Sequence, residues 1–73
     1  MIVITSATCA PCAALKRAHS KNPELSFVDI ASEYGQELSS THAVRTVPTL
    51  ITAGGRVVNG APAIDQYLRK IKQ

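Results

Sequence analysis

Two cysteines separated by two residues, in the run Cys9-Ala10-Pro11-Cys12, are the part of this 73-residue chain with the clearest chemistry. They are the only cysteines in the sequence. A structural disulfide stabilises a fold by closing a loop, and the gain, typically about 2–4 kcal/mol, grows with loop length. A bond across two intervening residues gains little in that way. The spacing therefore indicates thiol–disulfide chemistry or the binding of a soft metal.

The residues around the pair indicate which sulfur reacts. Residues 2–5 form a short β-branched run typical of a buried strand, and helical spacing begins after the first cysteine. A cysteine at a helix start lies beside unpaired N–H groups at the positive end of the helix dipole, and both favour the thiolate. Pro11 suits a first helical turn, where no N–H partner is needed. We therefore predict that Cys9 is the nucleophile and that Cys12, one turn further in and more buried, is the resolving thiol.

The remaining pattern predicts a single α/β domain over residues 1–73 with the order βαβαββα. Strands are expected at residues 2–5, 25–30, 47–52 and 56–58. Helices are expected from Cys12 to about residue 20, from Ser32 to residue 40 or 41, and from Pro62 onward. The early strands are expected to pair in parallel, and Gly54-Gly55 is typical of a two-residue turn in a late antiparallel hairpin.

Helical spacing also predicts which side chains face inward. These are Ala14, Leu15 and Ala18 in the first helix, Leu38 in the second, and Ile64, Tyr67, Leu68 and Ile71 in the third. The two histidines, His19 and His42, are interpreted as solvated residues on helix surfaces. A tetrahedral zinc site needs four ligands, and the spacing of these histidines from the cysteines matches no common zinc finger. We therefore expect neither a bound metal nor another cofactor.

Composition excludes several other classes. Hydrophobic residues make up 45% of the chain and charged residues 18%, which is typical of a globular domain. The formal net charge is +3, but the basic residues are scattered except at 69–72, where a helix C-terminus favours cations. We therefore expect no nucleic-acid partner. No run approaches the roughly 20 apolar residues of a membrane span, and no secretory signal is recognisable. These observations predict a cytoplasmic monomer with no membrane contact.

Three features together resemble the thioredoxin-like superfamily over essentially the whole chain. The first is the cysteine pair after the first strand. The second is a segment similar to the family's cis-proline segment, Val44-Arg45-Thr46-Val47-Pro48-Thr49-Leu50. The third is Gly54-Gly55 with the following strand and Gly60-Ala61, which resemble the closing hairpin and the entry to the final helix.

The resemblance implies a central four-stranded mixed sheet flanked by three helices. It also implies that the Val47–Pro48 peptide is cis, packs against the active-site disulfide, and presents the Val47 backbone to an extended substrate. The expected substrate-binding residues are Thr46, Val47, Pro48, Gly60 and Ala61. The implied activity is that of a small redoxin that reduces protein disulfides by dithiol exchange. The length is similar to that of minimal redoxins that serve ribonucleotide reductase, so this enzyme is one expected electron acceptor.

Departures from the family pattern bear on the reductant. Thr8 stands where thioredoxins carry tryptophan, and Val3 stands about where they keep a buried acidic residue. Glutaredoxins hold glutathione with acidic residues beyond the last strand, and the corresponding Gly60-Ala61-Pro62-Ala63 has none. The resemblance therefore favours a flavoprotein similar to thioredoxin reductase over glutathione as the source of electrons.

Two other functions use the same features differently. Copper chaperones of similar length also place a Cys-x-x-Cys between a first strand and a first helix, and two thiolates suit Cu(I). The helical pattern of residues 32–42 and the Thr46-Val47-Pro48-Thr49 segment are not typical of those domains. The second of these functions is that of a thioredoxin-fold subunit that binds a larger enzyme, because a fold does not determine a function.

Overall fold

Seven elements follow one another in the predicted order. The structure is a computed structural model, which describes residues 1–71. The elements are β1 (Ile2–Thr5), α1 (Ala10–Ala18), β2 (Ser26–Asp29), α2 (Glu33–Thr41), β3 (Thr49–Ile51), β4 (Val57–Asn59) and α3 (Ala61–Ile71). Two sequence predictions lie outside the described residues: the inward packing of the Ile71 side chain and the extension of the basic cluster to Lys72.

The four strands form one mixed sheet in the order β2-β1-β3-β4. β1 pairs with β2 in parallel, with Thr5 opposite Asp29, and pairs with β3 in antiparallel, with Val3 opposite Leu50. β3 and β4 form the antiparallel pair. The predicted four-stranded mixed sheet with three helices is confirmed. The two central strands consist of apolar and β-branched residues because they are covered on both faces, and Val3 and Leu50 are fully buried.

The core lies between the sheet and the helices α1 and α3. Its buried members are Val3, Leu15, Leu25, Leu50, Ile64 and Leu68. The prediction for α3 is confirmed for Ile64 and Leu68, which are fully buried, and Tyr67 packs against the cluster. Leu38 of α2 is half-buried.

The buried face of α1 differs from the predicted one. Leu15 is buried as expected, but Ala14 and Ala18 are exposed. The buried positions are Cys12, Leu15 and His19, which are spaced by three and four residues and therefore share one helical face. A methyl group gains little from burial, so the larger side chains determine which face turns inward.

The connection between β3 and β4 also differs from the prediction. The Thr52 N–H donates to the Arg56 carbonyl oxygen at 2.9 Å, and the Gly55 N–H donates to the Thr52 carbonyl oxygen at 2.9 Å. The loop therefore has three residues, 53–55, and the predicted two-residue turn is wrong. Gly55 has a φ of +86°, in the left-handed region that the third position of such a loop requires. β3 begins only after Pro48, which has no N–H for the strand ladder.

A close approach at the start of α2 holds this helix against β2. The Ser32 hydroxyl accepts the Gly35 N–H at 3.0 Å and donates to the Asp29 carbonyl oxygen at 2.6 Å. A Cβ atom on Gly35 would overlap that same carbonyl oxygen, so only glycine permits this approach. α2 therefore packs directly on the carboxyl end of β2.

Candidate functional site

Cys9 caps the first helix with its sulfur. The residue is the N-cap of α1, with extended backbone angles (φ −92°, ψ 109°). Its Sγ accepts the Cys12 N–H at 3.1 Å, and its carbonyl oxygen accepts the Ala13 N–H at 3.1 Å. Sulfur thus takes the place that a serine or aspartate oxygen takes in most N-caps. Pro11 lies exposed in the first turn, as its missing N–H permits.

Cys9 and Cys12 are joined in a disulfide, with their Cα atoms 5.2 Å apart. Cys12 has 2% of its surface exposed, whereas Cys9 is half-buried. Cys9 is therefore the more accessible of the two sulfur-bearing residues to an incoming sulfur. The predicted difference in burial is present, and the roles of nucleophile and resolving thiol stay predictions.

The segment before β3 lies beside Cys9. The Val47 carbonyl oxygen is 3.9 Å from Cys9 Sγ, the Val47–Pro48 peptide is cis as predicted, and Pro48 is buried. The segment is held by fully buried Thr49, whose hydroxyl donates to the Thr46 carbonyl oxygen at 2.6 Å. The structure therefore places Val47 beside Cys9, with Thr46 and Pro48 as its neighbours in the same segment.

The same segment is tied to the start of α3. The Gly60 N–H donates to the Pro48 carbonyl oxygen at 3.0 Å, and Gly60 has a φ of +89°, which favours glycine. Ala61 follows as the first residue of α3 and lines a groove with Pro11. Val47 therefore lies beside Cys9, Gly60 is linked to Pro48, and Ala61 shares a groove with Pro11, whereas the contact of Thr46 is to Thr49.

On another side of the cysteine pair lies an open pocket of about 370 Å³. Besides both cysteines, its lining includes Lys16, Phe27 and Asp29. The Lys16 ammonium lies 5.9 Å from the centre of the Phe27 ring, within reach of a cation–π contact. These three residues were missed from the sequence. For Phe27 and Asp29 the signal was the parallel pairing of the first two strands, which places their carboxyl ends at the same edge. For Lys16 it was helical spacing, because Lys16 is four residues after Cys12.

His19 is not the solvated residue that the sequence predicted. It is 6% exposed, and its Nε2 lies 2.9 Å from Asp65 Oδ1 on α3. Asp65 Oδ2 in turn accepts the Arg69 Nε–H at 2.9 Å. The hydrogen bond from His19, together with the Arg69 guanidinium, lowers the pKa of Asp65 below its ordinary value. The prediction failed because an imidazole with a carboxylate partner can be buried on a helix face.

Within residues 1–71, no three His, Cys, Asp or Glu side chains are grouped closely enough to hold a metal ion. Over the same residues, none of the helices combines the length and the apolar character needed to cross a membrane.

Comparison with known proteins identifies no relative of this chain. No family model matches it, and neither does any curated protein or solved structure. A functional proposal therefore rests on the chain's own residues and geometry.

Proposed function

We propose that the chain is a small thiol–disulfide oxidoreductase that reduces protein disulfides through Cys9 and Cys12. The observation that carries this proposal is the capping of α1 by Cys9 Sγ, which accepts the Cys12 N–H at 3.1 Å. In the reduced protein, this N–H and the helix dipole favour the anionic sulfur over the neutral thiol. The burial of Cys12 is the second supporting observation, since a buried thiol beside a half-buried one suits a resolving role.

The exchange proceeds in two substitutions at sulfur. The Cys9 thiolate attacks one sulfur of a partner disulfide, forms a mixed disulfide and releases one partner thiolate. Cys12 then loses its proton to solvent, and its thiolate attacks Cys9 Sγ. The second partner thiolate leaves, and the Cys9–Cys12 disulfide forms. Two electrons pass to the partner, whose sulfurs take up two protons from water.

The fold class proposed for this chain is thioredoxin-like. Support comes from the element order, from the sheet order β2-β1-β3-β4, and from the positions of two motifs. The cysteine pair opens α1, and Pro48 directly precedes β3 beside the reactive sulfur. This arrangement agrees with the one that the sequence resemblance implies.

The Val47 backbone is the proposed docking edge for the substrate. Its carbonyl oxygen lies 3.9 Å from Cys9 Sγ, so an extended segment paired with Val47 would bring its own sulfur to Cys9. Thr46, Pro48, Gly60 and Ala61 would form the surrounding surface. Ribonucleotide reductase is one proposed electron acceptor, on the basis of chain length alone.

The proposed source of electrons is a flavoprotein disulfide reductase similar to thioredoxin reductase. The residues at the start of α3, Gly60-Ala61-Pro62-Ala63, offer no carboxylate to hold the amino group of glutathione. Recovery of the dithiol with NADPH and such a reductase, compared with recovery by glutathione, tests this part of the proposal.

Reduction of insulin by the reduced protein tests the main proposal. We expect each protein molecule to convert one insulin disulfide to two thiols and to be recovered with Cys9 joined to Cys12, as mass spectrometry would show. A titration with Cu(I) on the same sample tests the metal-carrier alternative. A protein that binds one Cu(I) tightly and leaves insulin intact would contradict the proposal.

A further inference from the structure

An open groove of about 320 Å³ runs between α1 and α3. From α1 it is lined by Pro11, Ala14, Leu15 and Ala18, and from α3 by Ala61, Pro62, Asp65 and Arg69. Alanine and proline side chains are too short to fill the space between two packed helices, so the groove stays open. Its walls are largely hydrocarbon, a surface that favours an aliphatic side chain.

One end of this groove adjoins the cysteine pair. Pro11 lies between the two cysteines in the first turn of α1. Ala61, opposite, follows Gly60, which is hydrogen-bonded to Pro48. A polypeptide that exchanges sulfur with Cys9 can therefore continue into the groove without crossing the sheet.

The two helices that form the groove carry a net positive charge. They contain four basic residues, Lys16, Arg17, Arg69 and Lys70, and one acidic residue, Asp65. Of these five, Arg69 and Asp65 line the groove itself. The resulting excess of three positive charges equals the formal net charge of the whole chain, +3. α2, by contrast, contains two glutamates and no basic residue. The net positive charge therefore lies on α1 and α3, because the basic and acidic residues of the rest of the chain balance each other.

Arg69 is the basic residue best placed to meet a ligand in the groove. Its side chain is 73% exposed, although Nε donates to Asp65. Asp65 is engaged by both His19 and Arg69, so it offers little free negative charge to a partner.

We propose that this groove docks an acidic segment of the disulfide-bearing partner protein, with an aliphatic side chain between α1 and α3 and carboxylates near Arg69. The inference rests on the proposed function, since it names the class of substrate that Cys9 reduces. A nucleic acid suits the groove less well: the described residues that line it include no aromatic side chain on which a base could stack. Opposite charge would also speed the encounter and make it sensitive to salt.

Peptides with an internal disulfide test the preference. One peptide carries leucine and two glutamates beside its cysteines, the second has lysines for the glutamates, and the third has glycine for the leucine. We expect the first to be reduced about tenfold faster than the third, because burial of leucine is worth that much or more. The glutamate peptide is also expected to react faster than the lysine peptide, with a difference that shrinks as salt is added.

Substitutions in the groove test whether the preference for the leucine–glutamate peptide arises there. The quantity compared is the ratio of the rate for the leucine–glutamate peptide to the rate for a small aromatic disulfide. Arg69→Gln is expected to lower this ratio about threefold, and Ala18→Gln, which fills the groove, to abolish the advantage of leucine over glycine. Arg56→Gln and Ala63→Gln are the matched controls, since Arg56 directly precedes β4 and Ala63 is exposed, and neither lines the groove. Both should keep the wild-type ratio.

A binding measurement separates docking from exchange. The leucine–glutamate peptide with serines for its cysteines is titrated into the oxidised protein, and amide shifts are followed by NMR. Amide shifts confined to α1 and α3 would support docking even if no peptide were reduced. A failure to reduce any peptide would contradict the proposed function and not the docking. Equal ratios for all peptides overturn the docking proposal. It is equally overturned if a single-stranded oligonucleotide or anionic lipid vesicles shift these amides while the peptide does not.

Discussion

The two ends of α1 each carry a side chain capable of chemistry, and these two side chains differ in their exposure to solvent. At the start, Cys9 is half-buried, with its sulfur 3.1 Å from the Cys12 backbone nitrogen. At the end, His19 is 6% exposed and bonded to Asp65 of α3. Cys9 can thus meet a partner from outside, whereas His19 cannot. Accessibility therefore distinguishes the first end of α1 from the second.

The helix itself contributes to this difference. Unpaired N–H groups and the positive end of the dipole favour an anion at the start of a helix, and the opposite polarity favours a cation at its end. His19 is the C-cap of α1, where its imidazole is bonded to the Asp65 carboxylate of α3. We infer that the first end exchanges electrons and that the second joins α1 to α3.

Removal of either cysteine is expected to give the largest effect. Cys9→Ser should abolish insulin reduction, because no accessible nucleophile is left. Cys12→Ser should instead trap a mixed disulfide on Cys9, visible by mass spectrometry as an adduct that dithiothreitol removes. A trapped adduct on Cys12 in the Cys9→Ser protein would reverse the assignment of roles.

Replacement of His19 tests whether the second end of α1 contributes to stability. His19→Ala deletes a buried hydrogen bond and leaves a cavity, so the free energy of unfolding should fall by about 2–3 kcal/mol in urea melts. The rate of disulfide exchange in the folded protein should not change. His42→Ala, at the half-buried C-cap of α2, is the matched control and should cost less than about 1 kcal/mol. Lost exchange with unchanged stability in His19→Ala would contradict the comparison.

The smallest expected effect is the change in the free energy of unfolding at acidic pH that arises from Asp65. His19 and Arg69 hold the pKa of Asp65 below its ordinary value of 3.8. The unfolded chain therefore takes up this proton first, so the stabilisation is present above about pH 3.8 and is lost as the pH falls through the folded-state pKa. The difference in unfolding free energy between the wild type and Asp65→Asn should be constant near neutral pH and shrink below pH 3.8. A difference that grows on acidification would be inconsistent with this bond.

Local patterns predicted the first end of α1 well. Residues 2–5 are β1 as expected, and the cysteine spacing, Pro11 and the helix start can all be recognised within a dozen residues. These features depend on backbone chemistry that neighbours in sequence determine.

The second end depends on contacts distant in sequence. The partner of His19 is 46 residues away, so no local pattern reveals it. The exposure of Ala14 and Ala18 likewise depends on how α1 packs against α3. The length of the hairpin loop depends on the register in which β3 and β4 pair. Phe27 and Asp29 reach the pocket because β2 is the parallel neighbour of β1, and Lys16 reaches it because α1 packs beside these strands.

Alkylation of the reduced protein tests the central claim most directly. At mildly acidic pH, a limiting amount of iodoacetamide is added, and the labelled cysteine is identified by peptide mass spectrometry. We predict that Cys9 is labelled first and at least about tenfold faster than a cysteine in an unstructured peptide, because the start of α1 favours its thiolate. Labelling of Cys12 before Cys9, or labelling of Cys9 no faster than the free peptide, would contradict the account.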